Sequence, residues 1–228
     1  GYDSKAPYVY EFTDTVIVSS KNDLADYFEL NDGSMYIFEM VGVDLAGNIS
    51  DTVFLDSVHY DITPPTITMI YPFDSEAINN PAISYAISEK LAFGEILWTQ
   101  VDGMEDSLSP HIVSMVGEEL FPDEKIRINM TNEPILMDGS IYSITLNGQD
   151  LASNVSEPVT VANILFDITP PSFSNLKPDP KSALNHQRIS YTLSEDLFEG
   201  EIIWVRSGGI NDPDSPHKVK LKDGELEY

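Results

Sequence analysis

The sequence predicts an all-β protein built from tandem antiparallel β-sandwich units of about seven strands each. Three observations favour this fold class. Short runs of alternating apolar and polar residues dominate the chain, with turn residues between them. No long helical periodicity occurs. The chain also repeats itself with a period of 106 residues, which matches a small domain that has its own core.

The repeat is visible as several stretches that share one offset. The run Asp61-Ile62-Thr63-Pro64-Pro65 returns unchanged at residues 167–171, an offset of 167 − 61 = 106 residues. The other pairs at this offset are 84–98 with 190–204, 36–50 with 142–156, and 109–111 with 215–217. Because these similar stretches share one offset along the whole period, the sequence predicts a tandem array of one structural unit.

This period divides the chain into three parts. We predict that residues 1–60 are the C-terminal part of one unit, 61–166 a complete unit, and 167–228 the N-terminal part of a further unit. These parts are called the N-terminal segment, the central unit and the C-terminal segment. The sequence has no starting Met, signal peptide or apolar transmembrane run, and we interpret it as a segment of a longer protein.

Seven strands are predicted in the central unit. The run from Ile83 to Ser88 alternates apolar and polar residues, as a half-buried strand does. In the next strand, Ile96 and Trp98 are predicted to face one side and Glu95 and Leu97 the other. The predicted strands begin near Ile67, Ile83, Glu95, His111, Lys125, Tyr142 and Val159.

Two aromatic positions sharpen the fold prediction. Trp98 and Trp204 lie on the third predicted strand of their units, where a sandwich can bury a tryptophan. Tyr36 and Tyr142 each follow an Asp-Gly-Ser turn at the start of the sixth strand. A tyrosine there is predicted to form a tyrosine corner, in which the hydroxyl bonds back to the backbone.

The chain resembles tandem bacterial immunoglobulin-like domains of large extracellular and surface proteins of the adhesin type. The resemblance rests on Asp-x-Thr-Pro-Pro at Asp61, Ser-Glu-x-Leu-x-x-Gly-x-Ile-x-Trp ending at Trp98, and Asp-Leu-Ala-Gly-Asn at residues 44–48. It covers essentially the whole chain and implies immunoglobulin-like sandwiches at an extracellular or cell-surface location on a bacterium. The second copy departs from the pattern at Ser153, where the first has Gly47.

The composition excludes several kinds of partner and chemistry. The net charge of −26 argues against nucleic acid and anionic membrane surfaces, and it suits the binding of divalent cations. The absence of cysteine excludes disulfides and thiolate metal sites. We therefore predict no nucleic-acid binding and no membrane insertion in this segment.

Acidic and amide side chains recur near the boundaries of the units. The candidate ligands of this kind are Asp44, Asn48, Asp61, Asp150, Asn154 and Asp167. Oxygen atoms of this type are the ligands that Ca²⁺ takes, and the resembled adhesins imply calcium at domain junctions. A second interpretation stays open, in which these aspartates organise turns.

Catalysis has little support in the sequence. The histidines have no Ser, Cys or Asp constellation that suggests a triad; they are His59, His111, His186 and His217. Glu89 with Glu95 imitates the carboxylate pair of a glycosidase, but solvated carboxylates are the expected role. We predict that the chain is not an enzyme.

The function hypotheses follow from the repeat and its linkers. Pro64-Pro65 fixes the backbone and removes amide donors, so the linkers should be stiff. We expect a structural or adhesive segment of a stalk, fibre, filament or surface layer whose partners are neighbouring repeats. The alternative is a carbohydrate- or protein-binding module, accessory to an enzyme or at an adhesin tip, with a glycan or host-surface ligand. The two end segments are complementary, so either a longer chain or other copies of this chain, in a filament, would complete them.

Overall fold

The computed structural model describes residues 30–123 and 125–228, and these residues form an all-β structure. Fourteen strands occur among them, with one short 3₁₀-helix, η1 (Gly117–Leu120), and no α-helix. Accordingly, this part of the chain offers no helix of the length and apolar character that crossing a membrane requires.

The strands follow the three parts of the chain. The N-terminal segment contributes β1 (Ser34–Met40) and β2 (Val53–Tyr60). The central unit contributes β3 (Ile67–Tyr71), β4 (Ala77–Ile78), β5 (Ile83–Ile87), β6 (Leu91–Gly103), β7 (His111–Ser114), β8 (Lys125–Ile128), β9 (Ser140–Asp150) and β10 (Val159–Phe166). The C-terminal segment contributes β11 (Phe173–Lys177), β12 (Ser190–Leu193), β13 (Glu201–Trp204) and β14 (His217–Lys220).

Two sheets of the central unit supply one hydrophobic core. The five-stranded sheet has the order β4-β10-β9-β6-β7, and the three-stranded sheet has the order β3-β5-β8. All pairs are antiparallel except β4 with β10, which is parallel. Trp98 and Tyr142 from the larger sheet and Ile67, Ile83 and Tyr85 from the smaller one belong to the same buried cluster.

The alternation read from the sequence is present in the strands. In β9, every second residue is buried over all 11 positions, so Tyr142, Ile144 and Leu146 face the core. In β6, Ile96 and Trp98 are buried, whereas Glu95 and Leu97 are half-buried on the other face. These positions confirm the predicted orientation of both strands.

The strand bounds differ from the sequence prediction in four places. All seven predicted strands of the central unit are present, but β6 already begins at Leu91 and the additional β4 has only two residues. A two-residue strand shows no periodicity, and β4 is held by pairing with the end of β10. The sequence predicts strands from His111 to Val116 and from Lys125 to Met130, whereas β7 and β8 end two residues earlier, at Ser114 and Ile128.

The C-terminal segment repeats local contacts of the central unit. The Tyr85 hydroxyl donates to the carbonyl oxygen of Glu119 at 2.9 Å, and the Tyr191 hydroxyl donates to that of Glu225 at 2.6 Å. These two pairs of residues are related by the 106-residue offset. The described part of the C-terminal segment therefore has the local structure of the equivalent part of the central unit.

The two tryptophans differ in burial. Trp98 is 1% exposed, because β6 pairs with β9 and the Tyr142 ring lies edge-on at a centroid distance of 6.2 Å. Trp204 is 37% exposed. Among the described residues, β13 pairs only with β14, and no strand occupies the position that β9 has beside β6. The predicted burial is thus confirmed for Trp98 and wrong for Trp204.

This difference makes the two tryptophans separate reporters. At low protein concentration we expect acrylamide to quench Trp204 several-fold more strongly than Trp98, because only the exposed indole meets the quencher. The measurement is fluorescence quenching of the chain and of Trp204→Phe, which keeps Trp98 alone. Strong quenching of Trp98 in that variant would contradict the described core.

Candidate functional site at the unit junction

The linker between the N-terminal segment and the central unit is held by Asp32. This residue lies just before β1, and its Oδ1 accepts a hydrogen bond from the Ile62 backbone N–H at 2.8 Å. Its Oδ2 accepts a hydrogen bond from the Thr63 hydroxyl. The Gly33 N–H donates to the Tyr60 carbonyl at 2.8 Å, which joins the same turn to the end of β2. The linker is therefore fixed to the preceding segment.

The same arrangement occurs at the second linker. Asp138 Oδ1 accepts from the Ile168 N–H at 2.8 Å, and Asp138 Oδ2 accepts from the Thr169 hydroxyl at 2.6 Å. The threonine hydrogen bond, followed by the backbone one, lowers the pKa of both Asp32 and Asp138. We call these two arrangements the aspartate clamps. Because the two clamps are related by the 106-residue offset, the contact between the Asp-Gly-Ser turn and the Asp-Ile-Thr linker is part of the repeat.

The central unit holds the first linker from the other side. The Asn154 side-chain amide donates to the Asp61 carbonyl oxygen at 3.1 Å. Pro65 is fully buried in the central unit. The linker 61–65 is thus bonded both to the segment that precedes it, through Ile62 and Thr63, and to the unit that follows it, through Asp61.

The predicted turn-organising role of the aspartates is confirmed. Asp150 Oδ1 accepts from the N–H groups of Ala152 at 2.7 Å and Asn154 at 2.9 Å, and its Oδ2 accepts from the Asn154 side chain at 2.8 Å. Asp44 makes the equivalent three bonds to Ala46 and Asn48 at 2.7–2.8 Å. The Asp61 and Asp167 carboxylates likewise accept from the N–H two residues on, at 3.1 and 3.0 Å.

Three carboxylates meet at the first junction. Asp61, Glu89 and Asp150 each place one oxygen within 4.8 Å of the others. Asp150 is only 1% exposed, and the other two are half-buried. Burial raises the pKa of Glu89, and the negative charges of Asp61 and Asp150 raise it further. We call these residues the junction cluster. Two of them, Asp61 and Glu89, line a cavity of about 350 Å³ together with His59 and Lys90.

The structure brings together only some of the predicted calcium ligands. Asp61, Asp150 and Asn154 meet at the first junction. Asp44 and Asn48 lie in the equivalent loop of the N-terminal segment, and Asp167 lies at the second linker. In the described residues, neither of these places forms a cluster of three acidic groups.

The sequence reasoning missed Glu89 as a member of the junction cluster. On the sequence alone Glu89 pairs with Glu95. In the structure the Oε1 of Glu95 instead accepts a hydrogen bond from the Asn147 side chain at 3.1 Å across the sheet. Glu89 follows β5 and is 89 − 61 = 28 residues from Asp61, so no local spacing links them. The signal that was available is its recurrence as Glu195, at the same offset as the linker aspartates.

A second polar cluster lies inside the central unit. The Tyr142 hydroxyl donates to Asp106 Oδ2 at 2.6 Å, and His111 Nε2 lies 2.6 Å from the same oxygen. The Met137 N–H donates to the Tyr142 hydroxyl at 2.9 Å, which confirms the predicted tyrosine corner. The Asn31 N–H makes the same bond to Tyr36 at 2.8 Å. These contacts tie the loop before β7 to the start of β9.

The charges in this second cluster are set by burial and hydrogen bonding. Burial alone would raise the pKa of Asp106, which is 6% exposed, but the bonds from Tyr142 and His111 outweigh it and hold that pKa below its ordinary value. Burial and the bond to Asp106 raise the pKa of Tyr142. Asp212 and His217 repeat the acid–imidazole pair at 2.7 Å in the C-terminal segment. The described contacts of His111 support a structural role.

No model of a known protein family matched the chain, and a search of the curated proteins found no significant similarity.

We expect Asp106→Asn to lower the free energy of unfolding by about 2 kcal/mol at pH 7, because it weakens two hydrogen bonds to a buried charge. The folded pKa of Asp106 is depressed, so its contribution is present above the ordinary aspartate pKa and is lost as pH falls through the folded value. The difference between wild type and variant should therefore shrink below about pH 4.

The measurement is urea unfolding at several pH values in a Trp204→Phe background. Asp212→Asn is the matched control, because its pair with His217 is exposed, and it should change stability little. An Asp106→Asn variant as stable as wild type at pH 7 would contradict this role.

Proposed function

We propose that the chain is a non-catalytic structural or adhesive segment, made of tandem immunoglobulin-like units, of an extracellular bacterial stalk, fibre, filament or surface layer. The observation that carries the proposal is the aspartate clamp, which recurs with the same partners at both linkers. A short connection that is hydrogen-bonded in the same way at both linkers suits a segment whose task is to hold successive units in a fixed relation.

The immunoglobulin-like assignment is supported by the core of the central unit. A five-stranded and a three-stranded sheet share one hydrophobic cluster, as the two layers of a sandwich do. A buried tryptophan on β6 and a tyrosine corner at the start of β9 occupy the places that this fold uses. The segments that flank the central unit repeat its local contacts and so extend the assignment along the chain.

Stiffness follows from how the linker is bonded. A bend at residues 61–65 would break the hydrogen bonds of Asp32 on one side and that of Asn154 on the other. It would also expose Pro65, which the central unit buries. In a tandem array each unit contacts only its neighbours, so every junction with these bonds resists bending in the same way.

Calcium binding at the junction cluster belongs to the same proposal. Three carboxylates within 4.8 Å repel one another, and a divalent cation would remove the repulsion that raises the pKa of Glu89. Carboxylate oxygens are ligands of the type that Ca²⁺ takes, and water or backbone carbonyls complete its shell of six to eight. Because Asp61 lies in the linker while Glu89 and Asp150 belong to the central unit, the ion would strengthen the junction.

The second candidate function is a binding module. It is supported by the end of β6 and the loop that follows it, where Val101 in the strand and Met104 and Leu108 in the loop are more than half exposed. This loop differs strongly from its counterpart in the C-terminal segment, and variable loops on a rigid scaffold are common binding sites. A sugar-binding platform needs exposed aromatic rings, and Phe73 is exposed whereas Tyr71 is buried. Tyr8, a third aromatic residue that the sequence offers for this role, lies outside the described residues. Binding on a glycan array that is lost in Phe73→Ala would favour this function.

Stiff linkers between successive units predict that the chain is a rod, and this rod proposal can be tested in dilute solution. Small-angle X-ray scattering of the chain should give the distance distribution of a rod, and Asp32→Ala should broaden it towards a flexible ensemble, because one linker loses both clamp bonds. Asp179→Ala is the control, since its partner is the exposed side chain of Lys177 and not a linker. A compact wild-type particle, or no effect of Asp32→Ala, would contradict the proposal.

The calcium proposal predicts opposite effects of Glu89→Gln in the absence and presence of the ion. The folded pKa of Glu89 is raised, so its ionised form weakens the fold as pH rises through that value, and the neutral variant should be more stable without calcium at pH 7. At 10 mM Ca²⁺ the wild type should gain about 1–3 kcal/mol, for a dissociation constant of about 0.1–1 mM.

Thermal unfolding with EDTA or with added CaCl₂ measures both effects. Glu89→Gln should lose most of the calcium-dependent gain, whereas the control Glu95→Gln should keep it. Equal stability of the wild type in EDTA and in calcium would contradict the calcium site. That result would not affect the rod proposal, which the scattering experiment tests separately.

A further inference from the structure

Strands β4 and β10 form the only parallel strand pair among the described residues. Ala77 pairs with Leu165, and Ile78 pairs with Phe166. β4 lies early in the central unit and β10 is its last strand. The pair therefore connects the part of the chain that enters the unit directly to the part that leaves it.

Four hydrogen bonds of 2.7–3.0 Å connect residues 74–78 to residues 162–167. Three of them join backbone groups, and one joins a backbone N–H to a carboxylate. The donors and acceptors are the Leu165 N–H with the Glu76 carbonyl, the Asp167 N–H with the Ile78 carbonyl, the Ser75 N–H with the Ala162 carbonyl, and the Ala162 N–H with Asp74 Oδ1. We call these two stretches, with their bonds, the β4–β10 patch.

The backbone geometry on both sides of the β4–β10 patch is part of the repeat. Ser75 has a φ of 63°, and Lys181, at the 106-residue offset, has a φ of 67°. Asn163 has a φ of 58°, and its counterpart Ser57 in β2 has a φ of 60°. Positive φ is uncommon for residues other than glycine. Its presence at both places in two copies indicates that the units share this local structure.

The two linkers lie at opposite ends of the central unit. The first linker is bonded to Asn154, beyond the end of β9, and the second to Asp138, just before its start. The 11 residues of β9 separate these two places by about 35 Å. Because β10 is antiparallel to β9 and parallel to β4, both β4 and β10 run from the first linker towards the second.

This common direction decides how tension along the chain acts on the β4–β10 patch. Tension reaches β4 at its N-terminal end, through the first linker and β3, and it reaches β10 at its C-terminal end, through the second linker. Parallel strands that are pulled at opposite ends slide along each other, so the bonds between them stretch together. Bonds that share a force resist it better than the same bonds broken one after another.

Strand β3 lies on the path of the force and is held separately. It pairs with β5 in the smaller sheet, and its end residues Ile67 and Tyr71 are buried. The β4–β10 patch instead bonds the entering chain to the larger sheet. The patch is thus the contact through which β10 holds the beginning of the unit.

We propose that the β4–β10 patch gives the central unit its resistance to tension that passes along the chain from one linker to the next. This inference rests on the proposed function, because tension of this kind arises in a stalk, fibre or similar array. The patch suits the role because its four bonds lie along the direction of the pull.

The test applies force to the central unit within the full 228-residue chain. The natural sequence contains no cysteine, so Ile62→Cys with Ile168→Cys gives two attachment points for DNA handles in optical tweezers. Both side chains are more than half exposed. Pulling at these points loads the patch in shear. Unfolding should lengthen the tether by about 300–350 Å, for 168 − 62 = 106 residues of about 3.5 Å each less the folded distance.

A matched pair of attachment points changes the direction of loading. Asn79→Cys follows β4 at the same end of the patch at which Ile168→Cys follows β10, so this pair opens the patch from one end, bond by bond. Its first opening should need a force lower by about two- to fourfold, because one bond at a time carries a load that four bonds share in shear. Equal forces for the two attachment pairs would overturn the proposal.

Two proline variants assign the resistance to the patch itself. Leu165→Pro removes the N–H that donates to Glu76 and leaves the bonds of β10 to β9, which come from alternate residues. Thr160→Pro is the control in the same strand, where β4 does not pair; it loses an exposed side-chain hydrogen bond to Thr145. In shear, Leu165→Pro should lower the unfolding force by about a third, since one of four bonds is lost. Thr160→Pro should leave the force unchanged.

Urea unfolding establishes that each proline variant is folded before it is pulled. A folded Leu165→Pro chain that unfolds at the wild-type force, or an equal loss of force in Thr160→Pro, would overturn the proposal. If Leu165→Pro does not fold, the comparison of the two attachment pairs decides, because it needs no proline. Equal forces together with an elongated particle in scattering would contradict the patch and leave the rod proposal standing. A compact particle would contradict the rod proposal without changing the comparison of forces.

Discussion

Strand β9 is the constraint on which the rest of the central unit depends. Its alternate residues bury Trp98 and fill the space between the two sheets. Its start follows Asp138, which holds the next linker, and its end is Asp150, which belongs to the junction cluster. One strand therefore sets the core and the positions of both junctions, so that a shift of its register would disturb all three.

The two sides of a junction use different physical chemistry. The aspartate clamp is a set of hydrogen bonds to a carboxylate, whose lowered pKa shows that the ionised form is the favoured one. The junction cluster is the reverse case, since burial and like charges make the ionised form of Glu89 unfavourable. The clamp thus holds without an ion, whereas the cluster gains stability only when a proton or a cation reduces its charge.

The sequence predicted the elements whose information is local and repeated. Alternation identified β9 and the inward side of β6, and the Asp-Gly-Ser turn identified the tyrosine corner at Tyr142. Contacts between distant loops could not be read, because Asp61, Glu89 and Asp150 come from three parts of the unit. Asp106 was hidden in a loop that differs between copies, although Asp212 repeats it. The predicted burial of Trp204 was wrong, because the alternation within β13 predicts only which side chains share a face. Whether that face is buried depends on the strands that pack against it.

The core of the central unit is divided between the two halves of the repeat. β6 and β9 are joined by the longest strand pairing in the central unit, yet they are connected only through the loop and strands between them. Trp98 of β6 is 1% exposed because β9 pairs with that strand, whereas Trp204 of β13 is 37% exposed and β13 pairs only with β14 among the described residues. A side chain of the first half of a unit is therefore buried only when the second half pairs with it, so the core forms from contacts that are distant in sequence.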